Sequence, residues 1–211
     1  PLTGLPLEGR AHSAALLAAG SACREQREAL QGEYEGDLHL KFESSGQVQG
    51  APFQMTFVLQ IDAPLYLSIN SSAQVMGTSG GHIMSTFEGR GVGVGAPVTN
   101  QGGTSVEDIN LEMVGVAKKG SGFFAEVRSV TTGTTGSACI DGGGCTGGSG
   151  APTESVPVGS SIHLNVDELD CDHMGGQVNA ASLLQNLQAR DAQMGLQTAV
   201  HVARWDVQFL Q

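Results

Sequence analysis

Basic residues are scarce in this chain. Across 211 residues there are 10 Lys and Arg, against 21 Asp and Glu, for a formal charge of −11. Only Lys41, Lys118 and Lys119 are lysines. A nucleic-acid binder needs a basic patch to displace phosphate counterions, and this balance excludes one. Aromatics are also few, ten in all with a single Trp, which is sparse for a sugar-stacking platform. No apolar run approaches the ~20 residues of a membrane-spanning helix. Gly and Pro together make 38 residues, below the ~25–30% that marks wholesale disorder. There is no G-x-S-x-G elbow, no C-x2-C pair and no Cys–His spacing that points to a nucleophile or a zinc site.

What is present is glycine, 31 residues, about twice the usual share. Four cysteines are present, Cys23, Cys139, Cys145 and Cys171. An even number beside so few lysines fits an extracytoplasmic protein, periplasmic, cell-surface or secreted. Three pairings are open. The short Gly-rich interval favours Cys139–Cys145, leaving Cys23–Cys171. The chain opens Pro1-Leu2-Thr3, as expected where a signal peptide has been removed, and compatible with a lipid anchor upstream of Pro1.

The local pattern divides the chain into an extended arm over 1–10 and one domain over 11–211. Ser13 caps a helix expected to reach Leu30, with Leu16, Leu17, Gly20, Cys23 and Leu30 on one stripe. The period then drops to two. Tyr34, Leu38, Leu40 and Phe42 alternate with charged residues, and Phe53, Met55, Phe57, Leu59 and Ile61 repeat the pattern. A further strand is expected after Pro64, a loop over Ser71–Gly81 and a strand from His82. That strand runs into Gly89, Gly91, Gly93 and Gly95, a bare face suited to a packed helix, a sharp curve or a ligand. No helix follows these glycines, so they are not a dinucleotide fingerprint. A second hairpin joins Val106–Ala117 to Phe123–Val127. Residues 131–160 hold nine glycines and read as a Gly/Ser/Thr-rich loop stapled by Cys139–Cys145. A strand over Ser161–Cys171, a helix opening near Asn179 and ending before Gly195, and a last strand over Thr198–Phe209 complete the chain. The last strand changes phase near Ala203-Arg204, which predicts a bulge. The expected fold is α+β: an antiparallel, curved sheet of seven to eight strands with both helices packed on one face.

Three functions compete. The first is a non-enzymatic structural or accessory subunit of a cell-envelope or extracellular assembly, acting through protein–protein contacts or self-assembly. The absence of a catalytic motif and the long loop support it. The second is a carrier of an apolar small molecule, in a cavity lined by Phe53, Met55, Phe57, Leu59, Met113 and the glycine face. Its element order is similar to that of periplasmic lipoprotein carriers of the half-barrel type. The third is a hydrolase assembled only in three dimensions around His39 or His173. No cofactor is expected. The cluster Asp167, Asp170, Asp172 and His173 has oxygen ligands suited to Ca2+, but alternation along a strand separates its members.

Overall fold

The computed structural model describes residues 31–50, 52–91, 100–131, 136–140, 144–148, 156–170 and 172–210, with backbone alone at 100, 101, 136–140 and 144–148. The arm over 1–10, the helix expected over 13–30, Gly93, Gly95, Cys23 and Cys171 lie outside the described residues.

Eight strands pair in a ring. They are β1 (Gly32–Gln47), β2 (Phe53–Ile69), β3 (Gln74–Gly91), β4 (Asn100–Val116), β5 (Gly122–Thr131), β8 (Ser161–Asn165), β10 (His173–Asn179) and β11 (Gln197–Phe209). β11 returns to β1 from Tyr34–Phe209 to Ser45–Gln197. This closed antiparallel barrel overturns the expected open α+β sheet with two packed helices. Closure pairs both sheet edges, and the described residues hold one helix, α1 (Ala181–Ala192). A short hairpin, β6 (Gly136–Ile140) and β7 (Gly144–Gly148), continues the sheet from the start of β4, inside the segment expected to be a loop. The two-residue β9 (Glu168–Leu169) pairs with β10.

Two expected breaks in the chain are absent. β2 runs straight through Pro64, and β3 occupies most of the expected Ser71–Gly81 loop. Proline has no N–H to donate. Accordingly the β2–β3 ladder lapses between Asp62–His82 and Tyr66–Thr78, then resumes in the same register. The Ser79 hydroxyl, donating to the Pro64 carbonyl, bridges the lapse. In β3 the inward positions below Ile83 are Gly77, Ser79 and Gly81. They are too small to register as apolar alternation, yet the neighbouring strand fills their space. A Cβ on Gly81 would lie 2.5 Å from the Ala63 Cβ and 2.6 Å from its Cα.

The stagger of the ring sets its bore. From His163, direct partners run through Phe124, Val114, Met76 and Ser68 to Glu33. In the other direction His163 pairs with Asn179. Extending the β10–β11 register by two residues reaches Val202, the partner of Lys41. The circuit therefore closes about eight residues out of step, a shear of about eight for eight strands, the combination in which side chains fill the interior. Leu38, Leu40, Leu59, Ile61, Leu65, Ile109, Met113, Phe123, Leu164 and Trp205 are all buried inside. Outward positions of β1 are Glu33, Glu35, Asp37, His39, Lys41 and Glu43. Along β1, an apolar inside and a charged outside are the reverse of a lipid-embedded strand.

The wall is uneven. β8 and β10 share only two rungs, Val178–Leu164 and Asn179–His163. Beyond their ends, α1 and residues 156–160 occupy the space between β5 and β11. Leu183 and Leu187 are the buried apolar side chains of α1. The Asn179 carboxamide accepts from the Ala181 amide at 3.1 Å at the helix start. Gly195 at φ +82° follows its end, in the left-handed region that glycine adopts without strain. The expected bulge is present on β11 two residues earlier, where His201 is the extra residue between the Val202–Lys41 and Val200–Phe42 pairs.

Candidate functional site

The proposed cavity-lining residues do share the inward face, but they are strung along it. Met113 faces Gly77 near one end of the barrel, and Leu59 faces Ser85 and Phe42 in the middle. Phe53, Met55 and Phe57 lie toward the rim that carries α1. Leu59 and Met113 are fully buried, whereas the three rim residues are half-buried. The void enclosed by Leu38, Leu40, Ile61, Ile109, Leu111, Val127, Val156, Ser160, Ile162 and Leu183 measures about 10 Å³. That is the space of a single water at most, and none of the five proposed lining residues borders it.

The glycine face is covered at Gly89. Gly89 and Gly91 are opposite Met55 and Phe53 on β2. The Phe53 ring lies diagonally over Gly89, so closely that an added Cβ would collide with Phe53 Cζ and Cε1. An aromatic from the next strand thus occupies the place expected for a helix or a ligand, a compensation known for glycine in sheets.

The rim is held by a carboxylate that alternation could not single out. Asp191, on the last turn of α1, is completely buried. It accepts from Ser44 Oγ of β1 at 2.5 Å, from Thr198 Oγ1 of β11 at 2.9 Å and from Arg190 Nε at 2.7 Å. Burial pushes its pKa up, but these hydrogen bonds and the Arg190 charge outweigh burial and hold the carboxyl below its ordinary value. The Arg190 guanidinium in turn lies over the Phe57 ring, 4.9 Å from its centroid. Phe57, Arg190, Asp191, Ser44 and Thr198 therefore bind α1 to β1, β2 and β11. A second acid, Glu107 of β4, is buried on the inward face opposite Ile83. In the sequence, the signal for Asp191 is an acid at helical spacing from Leu183, Leu184 and Leu187.

Within the acidic cluster, the Asp167 carboxylate serves the backbone, and Asp170 and Asp172 bond through their main chain. Asp167 Oδ2 accepts the Gln177 amide at 2.8 Å, reinforcing the thin β8–β10 seam. The Asp170 amide donates to the His173 carbonyl at 2.8 Å, and the Asp172 carbonyl accepts from the Phe209 amide at 2.6 Å. Asp172 is exposed and His173 half-buried. Among the described residues no three His, Cys, Asp or Glu side chains converge as a metal site.

The other histidines decorate the outer wall. His39 Nδ1 is 2.8 Å from Asp62 Oδ1, and His82 Nδ1 is 2.8 Å from Asp108 Oδ1. His201 is 3.5 Å from Glu43. His39–Asp62 and His82–Asp108 are cross-strand partners on a convex, solvated surface, and neither histidine borders the enclosed void. In β6 and β7 the backbones of Cys139 and Cys145 are direct partners. No family model, no curated protein and no solved structure matches the chain.

Proposed function

We propose that the chain is a non-enzymatic, extracytoplasmic protein that works through protein–protein contacts, as a structural or accessory subunit of an envelope or extracellular assembly. One observation carries this reading: among the described residues the middle of the bore is filled by buried side chains, and the void between Leu38, Ile61, Ile109 and Leu183 measures about 10 Å³. The outer wall then offers a surface for recognition. The extracytoplasmic setting rests on the cysteine number and on the scarcity of lysine. The half-buried Phe53, Met55 and Phe57 favour the carrier as the second reading, with an apolar ligand at the rim rather than along the bore. Native mass spectrometry of protein purified without detergent, with a fluorescent fatty acid titrated in parallel, separates the two. The subunit reading expects no co-purified lipid and no saturable binding. A lipid bound one to one contradicts it and supports the carrier.

A further inference from the structure

The outer wall is charged or polar over β1, whereas one level of it over β2, β3, β4 and β5 carries an apolar group. Met76, Val114 and Phe124 are consecutive partners on one rung, all facing outward. They are 65%, 47% and 51% exposed. Val116 lies two residues along β4 from Val114, and Tyr66 lies diagonally from Met76 across β2, whose Ser68 is the direct partner of Met76. Both are exposed as well. The Phe124 ring is braced edge-on against His163, with ring centroids 4.8 Å apart. Isolated exposed apolar side chains are ordinary, but a contiguous group spanning four strands marks an interaction surface.

The charges carried by β4 itself are polarised across this patch, while the exposed Asp167 and Glu168 follow Val166, which is hydrogen-bonded to the β4–β5 turn. On one side, in the β4–β5 turn, are Lys118 and Lys119, both exposed and two of the three lysines in the chain. On the other side the same face of β4 carries Glu112 and Asp108. Glu112 shares Arg128 with Glu126, at 2.5 and 2.7 Å, and Asp108 contacts His82. That side therefore has three carboxylates to one guanidinium. An apolar centre with positive charge at one end and negative charge at the other is complementary to itself under a two-fold axis that crosses the strands. With Val114 on the axis, the residue n places after it meets the level n places before it in the other copy. Lys118 and Lys119 then fall opposite the stretch from Asp108 to Asn110, beside Glu112.

We infer that the face formed by Tyr66, Met76, Val114, Val116 and Phe124 docks on the same face of a second copy, with Lys118 and Lys119 of each copy set against Asp108 and Glu112 of the other. This inference rests on the protein–protein reading above and names the partner and the surface. Sedimentation velocity of the full chain across a concentration series tests it, with dithiothreitol present so that no cysteine-linked dimer is counted. The expected result is reversible association toward twice the 21.7 kDa chain mass. The double variant Met76→Ser/Phe124→Ser should raise the dimer dissociation constant about tenfold or more, as truncation at an interface centre does. Lys118→Glu/Lys119→Glu should also weaken the dimer, and adding Asp108→Lys/Glu112→Lys in the same chain should restore it. Circular dichroism melts confirm that each variant is folded. A wild-type chain that stays monomeric at every concentration overturns the inference. So does a dimer indifferent to these substitutions, or a monomer that pairs only with a different protein. A lipid-free monomer overturns the docking face alone, whereas stoichiometric lipid overturns the reading beneath it.

Discussion

Asp191 and Gly81 illustrate two ways in which a single position holds this barrel together. Asp191 is a buried charge that is stable because three donor atoms, Ser44 Oγ of β1, Thr198 Oγ1 of β11 and Arg190 Nε of α1, meet it in the right geometry. Its pKa lies below the unfolded value, so its contribution is fully present above about pH 4 and is lost as pH falls through the folded value. Asp191→Asn should therefore cost about 1–3 kcal/mol at neutral pH, and urea denaturation should show the gap to wild type closing on acidification. A gap equal at pH 7 and at pH 3 contradicts this role. Gly81 works by having no side chain, since an added Cβ meets Ala63 Cα and Cβ and the Asp62 carbonyl within 2.7 Å. These are backbone and stem atoms that cannot swing aside. Gly81→Ala should destabilise by about 1–3 kcal/mol through overpacking, read as a lowered melting temperature. Gly89→Ala should cost less, because a Phe53 ring at the half-open rim can turn away. Gly81 looks like loop composition in the sequence, and Asp191 shows only its helical spacing from Leu183, Leu184 and Leu187, with no sign of its partners Ser44 and Thr198.

Among the elements, alternation located the long strands wherever inward residues are large. β1, the first half of β2 and β4 were legible because Leu38, Leu40, Phe42, Leu59, Ile61, Ile109 and Met113 alternate with polar residues. Alternation fades in the first half of β3 and at Pro64, where barrel curvature calls for small inward residues and one missing amide is tolerated. The phase change in β11 was legible and placed the bulge within two residues of His201. The seam between β8 and β10 was not, because it depends on contacts distant in sequence. With only two rungs, it also relies on the Asp167 carboxylate and on the Trp205 indole, which donates to the Asn165 carbonyl at 2.9 Å. Trp205→Phe keeps most of the packing and removes that bond. It should cost about 1–2 kcal/mol and speed amide exchange in β8 and β10 ahead of β1 and β2. Uniform acceleration over all strands contradicts a weak seam.

For the molecule as a whole, the difference between a curved sheet and a closed barrel is the pairing of β1 with β11, two strands separated by most of the chain. Local patterns report which face of a strand is apolar but not which strand becomes its neighbour, so the apolar face was legible and the ring was not. Closure also changes the meaning of the candidate site. On an open sheet, Phe53 to Leu59 and Met113 would line a cavity. In an eight-stranded ring with a shear of about eight, Leu59 and Met113 become core and Phe53, Met55 and Phe57 stay at the rim, and the proposed recognition surface moves to the outer wall. The central claim is thus that the bore is packed. Methyl–methyl nuclear Overhauser effects in the ligand-free protein test it most directly. The account predicts effects linking Leu38, Leu40 and Ile61 on one side of the barrel to Ile109, Ile162 and Leu183 on the other. Their absence, with effects to water or to a co-purified apolar molecule in their place, would contradict it.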